Sequence, residues 1–164
     1  MRDSSSHMSV VIRRILGHSC LDRSPTPMTE RAKTMGPVEI AIRGTVHEGD
    51  RLSTPAQSEP FWVAKISGDG IVLELGKKRT ATFFAWACIE GVLPFLEQYG
   101  RVRINGSGKS QNIVQGTLDG YLKGHVNRLT AGWIAALLEK AGVVTVDRTR
   151  PAHVSAAVKK HVGA

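Results

Sequence analysis

The hydrophobic rhythm of the chain changes twice. Between residues 38 and 84 apolar positions recur with period two, the spacing that turns one side of a strand towards a core. Val38-Glu39-Ile40-Ala41-Ile42 predicts a first strand and Pro60-Phe61-Trp62-Val63-Ala64-Lys65-Ile66 a second. Ile71-Val72-Leu73-Glu74-Leu75 and Thr80-Ala81-Thr82-Phe83-Phe84 predict two more. Ser67-Gly68-Asp69-Gly70 and Gly76-Lys77-Lys78-Arg79 are the turns between them, because glycine supplies the positive φ that a tight hairpin needs. These segments predict a small antiparallel meander.

The period then lengthens. In residues 86–99, WACIEGVLPFLEQY, the positions Ile89, Val92, Leu93 and Leu96 fall on one helical stripe. Pro94 inside it predicts a kink or a break, and Gly100 a C-terminal stop. Arg101-Val102-Arg103-Ile104 is a short strand and residues 105–116 a polar loop. Residues 117–125 predict a short helix and 131–141 a better one, with Thr130 as its N-cap. Ala131, Ile134, Leu137, Leu138 and Ala141 form the apolar face of that helix, and Gly132, Ala135 and Ala136 fall on its outer faces. After Gly142 the period returns to two: Val143–Asp147 is a strand, 148–151 a turn and 152–157 a return strand.

Residues 86–157 thus run helix, short strand, helix, helix, strand, turn, strand. In that order, and in the stretches IEGVLPFLEQYGRVRI, TLDGYLKGH, LTAGWIAALLEKAG and VVTVDRTRPAHVSAA, about 70 of the 164 residues resemble a winged helix-turn-helix domain. LLEKAGVV is similar to the step by which such domains leave the second helix of the pair for the wing. The resemblance implies DNA binding, with that second helix in the major groove and the wing against backbone or minor groove. It places Lys123, His125, Asn127 and Arg128 in the turn before the helix and Thr130 at its N-terminus, where N–H groups and the dipole favour a phosphate. Arg148, Arg150 and His153 fall in the wing. Arg and Asn read guanine and adenine edges, and Lys suits phosphates. Gly132, Ala135 and Ala136 permit close approach to DNA but read little, so specificity is expected from the turn, the wing or the meander.

Composition narrows the class. A chain of 164 residues suits one ordinary domain or two very small ones. Apolar residues make up 41% and charged ones 22%, as in globular proteins. Aromatics at 5% imply an aliphatic core, in which Phe61, Trp62, Phe83 and Phe84 read as core residues before they read as a stacking platform. Phe61 and Trp62 point to opposite faces of their strand, so one of them is a candidate for exposure. No stretch reaches the ~18 apolar residues of a membrane helix, and the N-terminus lacks a secretory pattern. Two cysteines, Cys20 and Cys88, form no disulfide framework. The expected compartment is a reducing one, cytoplasmic and nucleoid-associated if the chain binds DNA.

Charge is the clue that changes most. The chain carries +8, placed unevenly. Residues 1–36 hold six Lys/Arg against three Asp/Glu, 37–100 six against eight, and 101–164 ten against three. So basic a last third implies a polyanionic partner, most often nucleic acid. Residues 1–36, rich in Ser, Pro, Arg and Met, read as a flexible basic arm, with MRDSSSHM at 1–8 as an expression leader.

Enzymatic motifs fail on spacing. GRVRINGSGKS, residues 100–110, ends like a phosphate-binding loop, G-x-x-x-x-G-K-[ST]. The first glycine of that pattern is needed at 103, where Arg103 stands. The residues after Ser110 start a helix poorly, and 54 residues after it are too few for a doubly wound sheet. A magnesium-binding role for Asp147 falls with that reading. Asp69, Glu74 and Lys77 resemble the acidic-plus-lysine core of metal-dependent nucleases, but two residues separate Glu74 from Lys77 where one is needed on a strand. His18 and Cys20 have no second pair to complete a zinc site, and Cys88 on an apolar helix reads as an inert buried thiol.

The sequence therefore predicts an α+β protein, a small antiparallel β meander followed by a winged-helix module. Its parts are the arm at 1–36, the β module at 37–85, the winged-helix-like module at 86–157 and a basic tail at 158–164. The expected function is non-catalytic binding of double-stranded DNA, as a transcription regulator or recognition module, without metal or cofactor. Arg101, Arg103, Lys109, Ser110, Lys123, His125, Asn127, Arg128, Thr130, Arg148, Arg150 and His153 are the candidate contacts. The second reading is a protein-interaction adaptor, with a protein partner or a homodimer, and the third a nucleotide-binding enzyme using GSGKS.

Overall fold

In the computed structural model, which describes residues 34–105 and 115–157, a helix stands where alternation predicted the first strand. α1 (Pro37–Thr45) starts at a proline, whose fixed φ suits a first helical position. The Glu90 carboxylate accepts from the backbone N–H groups of Val38 (3.3 Å) and Glu39 (2.7 Å), satisfying donors that a helix start leaves open. Val38, Ile42 and Val46, spaced by four, are buried, while Ile40 is 55% exposed. The helical period explains that pattern and the strand period does not. Glu39 is buried against Arg43 (2.9 Å), which also donates to the Ser67 carbonyl and lies over the Trp86 ring. α1 is thereby tied to the sheet and to α2.

The predicted meander follows. β1 (Arg51–Ser53), β2 (Pro60–Ile66), β3 (Gly70–Leu75) and β4 (Thr80–Ala85) form one antiparallel sheet in sequence order. β1 has three residues and left no periodic trace in the sequence. Phe61, Val63, Ile71, Leu73, Leu75 and Phe84 point to the core face and are buried. β4 runs directly into α2 (Trp86–Glu90), and α3 (Val92–Tyr99) follows after a break at Gly91. The expected interruption thus falls at Gly91, and Pro94 lies in the first turn of α3, where its missing N–H costs nothing. Gly100 ends α3 at φ 71°.

The remaining elements are β5 (Val102–Arg103), α4 (Leu118–Lys123), α5 (Ala131–Lys140), β6 (Val144–Asp147) and β7 (His153–Ala156). The three strands form a second antiparallel sheet in the order β5-β7-β6. Thr117 caps α4 by accepting from Gly120 N–H at 3.1 Å. The architecture is α+β, a meander followed by a mainly helical half. The two halves share one hydrophobic core, to which α1, β2 to β4 and every helix from α2 to α5 contribute. Each fully buried Leu, Ile or Phe adds about 1.5–3 kcal/mol of burial.

Candidate nucleic-acid interface

α5 corresponds to the helix expected to enter the major groove, and its surroundings decide the site. It packs against α1, α4, β1 and β6. Ala131, Ile134, Ala135, Ala136, Leu137 and Leu138 are all buried. Ala135 and Ala136, expected on outer faces, are 0% and 7% exposed. Gly132, also expected outside, faces Thr54, whose side chain would lie 3.6 Å from a Cβ added there. Thr54 closes the β1–β2 connection on itself: its hydroxyl accepts from Glu59 N–H at 3.0 Å, and its carbonyl accepts from Ser58 N–H. The small residues of α5 do permit close approach, but what approaches is the protein's own β1–β2 loop.

Thr130 needs a second correction. It is 0% exposed and its hydroxyl makes no capping bond, so it cannot meet a phosphate. Asp119 of α4, itself buried, accepts from Ala131 N–H at 3.1 Å and caps α5 from outside. A carboxylate is thus already placed at the helix N-terminus, where a phosphate was expected.

The other candidates fall into two groups. At the wing, Arg148 makes a bidentate pair with Glu139 of α5 (2.8 and 2.7 Å), which raises its pKa further. Arg101 pairs with Asp147, which also accepts from the Thr149 hydroxyl and N–H. The Thr149 bonds, and then Arg101, hold the Asp147 carboxyl below its ordinary range. Arg103 is exposed opposite His153 in the β5–β7 ladder, and Arg150 is exposed at the wing tip. Arg148 also lines a cleft of about 470 Å³ with Lys140 and, from the edge strand β1, Arg51.

In the α4–α5 connection His125 lies against the Tyr121 ring (5.1 Å between centroids), and Lys123 at the end of α4 is half-buried. The Tyr121 hydroxyl donates to the Cys88 carbonyl, and burial pushes its pKa up to about 12. Burial likewise raises the Cys88 thiol to about 11, which leaves it inert at neutral pH. Asn127 and Arg128 are exposed, and Arg128 reaches Thr82 of β4 at 3.5 Å. These two residues line a cleft of about 570 Å³ with Lys77 and Lys78 of the β3–β4 turn. Lys109 and Ser110, the GSGKS stretch, Cys20 and the segments at 1–33 and 158–164 lie outside the described residues.

Lys77, Lys78 and Arg51 were absent from the predicted contacts. Three consecutive cations, Lys77 to Arg79, were legible as a run in a hairpin turn; the meeting of Lys77 and Lys78 with Arg128 in one cleft is a property of the fold. Among the described residues no group of three or more His, Cys, Asp or Glu is placed to hold a metal, and no helix is long and apolar enough to cross a membrane. Comparison with protein-family models, with curated proteins and with solved structures finds no match.

Proposed function

We propose that the protein is a non-catalytic nucleic-acid-binding protein that holds duplex DNA by its phosphates, through the wing and the α4–α5 connection and without inserting α5. The observation that carries this reading is the cleft where Lys77 and Lys78 meet Asn127 and Arg128. Three cations from segments some 50 residues apart in sequence converge there on one concave surface against one carboxylate, Glu59, an arrangement that raises the local potential for a polyanion. The order helix, strand, helix, helix, strand, strand, with strands paired β5-β7-β6, supports the winged-helix resemblance. The covered α5 favours backbone contact over base readout, hence weak sequence preference.

The test is duplex affinity by fluorescence anisotropy from about 50 to 200 mM salt. The wild-type chain should bind with a steep negative salt slope. Lys77→Ala/Lys78→Ala/Arg128→Ala should weaken binding at least about tenfold and lower the slope by about three phosphate contacts, near 0.9 each. Absence of duplex binding at the lowest salt, or a triple variant that binds like wild type, rejects the reading.

A further inference from the structure

The four-stranded sheet is buried on one face only. In the ladder, Arg51 stands opposite Trp62, Trp62 opposite Glu74, and Glu74 opposite Ala81. Directly opposed residues share a face, so these four form a row across the sheet on the side away from the core. A bulge between Val63 and Lys65 resets β2 so that Lys65 stands opposite Val72, and Val72 stands opposite Phe83. A second row, Lys65-Val72-Phe83, therefore lies beside the first. Phe83 is 51% exposed. A Cβ on Gly70 would lie 2.7 Å from its ring and 2.2 Å from the Phe84 carbonyl, so glycine there is what lets the Phe83 ring lie against the start of β3.

The chemistry of this face is that of a stacking surface for a polyanion. The Arg79 guanidinium lies 4.6 Å from the Trp62 ring centre and that of Arg51 5.7 Å. Arg79 holds its place through an ion pair to Glu74 (2.6 Å) and a left-handed backbone, φ 50°, a conformation a non-glycine residue adopts at some cost. The carboxylate in these two rows, Glu74, is thus already neutralised, and Arg51, Lys65 and Arg79 set the sign. Bases stack on aromatic rings and on guanidinium planes, and an open four-stranded sheet can stack two or three of them.

We infer that the outer face of β1 to β4 binds single-stranded nucleic acid, with bases on Trp62, its flanking guanidiniums and Phe83, and phosphates near Arg51, Lys65 and Arg79. The site shares the polyanion chemistry of the proposed function but rests, Arg51 apart, on different residues from the duplex contacts. The test uses the full chain with labelled oligothymidylate and oligouridylate of about 12 nucleotides, within the span of one such surface, and a duplex of about 20 base pairs.

Both single strands should bind, and their ratio tells DNA from RNA as the preferred source. Trp62→Leu/Phe83→Ser should lower single-strand affinity at least about 30-fold, the fold-change of two lost stacking contacts, and leave duplex affinity within about twofold. Phe83→Ser alone alters a half-exposed ring and should keep the wild-type unfolding transition while still weakening the single strand severalfold. Trp62→Phe, which keeps a ring, should retain most of the affinity. Failure of the wild-type chain to bind either single strand overturns the proposal. So does single-strand binding unchanged in the double variant or in Phe83→Ser. Loss of duplex binding in Lys77→Ala/Lys78→Ala/Arg128→Ala with single-strand affinity kept separates the two sites. A wild-type chain that binds single strands but not duplex leaves this inference standing and rejects the duplex reading.

Discussion

α5 and the four-stranded sheet are covered to different extents. α5 meets α1, α4, β1 and β6, and six of its ten residues are buried. The sheet buries Phe61, Val63, Ile71, Leu73 and Phe84 beneath it and leaves Trp62, Lys65 and Phe83 on its other side. A helix packed against elements of both halves is a spine: it fixes them together and leaves little free surface. A sheet covered on one face leaves its other face open to a ligand. The lesson is that an order of elements says which helix could read a groove, and only packing says whether that helix is still free to do so.

If α5 is the spine of both halves, damage to it must be felt by both. Leu137→Ala removes a fully buried side chain and should cost about 2–5 kcal/mol. Urea unfolding followed by far-ultraviolet dichroism and by tryptophan fluorescence should show one coincident transition at lower denaturant. Two separated transitions would break the picture of a shared core. Asp119→Ala comes next. It removes the buried acceptor of Ala131 N–H and leaves that donor unpaired, for about 1–3 kcal/mol. An unchanged urea midpoint would mean that Thr130, which stands beside it with an unused hydroxyl, takes over the cap.

The parts of this contrast were unequally legible. β2, β3 and β4 could be read because alternation and glycine-bearing turns are local signals, and their register follows from the turns. α1 could not, because five residues of VEIAI fit either period and its decisive cap comes from Glu90, 51 residues away. The ends of α5 were readable, but its exposure was not: an apolar stripe marks one buried side, and Gly132, Ala135 and Ala136 fit close packing as well as open solvent. Thr130 reads as the cap of α5 because threonine is a favoured N-cap residue, whereas Asp119 supplies the cap across a tertiary contact. Of the residues that line the two clefts, Asn127, Arg128 and Arg148 were candidates in the sequence because the turn and the wing are local features. Lys77, Lys78 and Arg51 were missed because the fold, and no run of sequence, brings them to the same clefts.

The smallest expected change in stability sharpens the contrast most. In the C-terminal half Arg148 is engaged by Glu139 of α5 in two parallel bonds. Both partners are partly exposed, with side chains 57% and 29% accessible, so the pair is worth at most about 1 kcal/mol. Its effect on binding should be larger than its effect on folding. Glu139 neutralises Arg148 beside the cleft that Arg51 and Lys140 also line, so a phosphate arriving there must compete with a carboxylate already in place. Glu139→Gln should therefore leave the urea midpoint almost unmoved and raise duplex affinity a few-fold, with a steeper salt slope as Arg148 becomes available to a phosphate. Arg148→Ala should be equally mild in stability and change affinity in the opposite direction. If both variants bind duplex as wild type does, the wing belongs with α5 to the structural half of the molecule, and the contact surface shrinks to the β3–β4 turn and the α4–α5 connection.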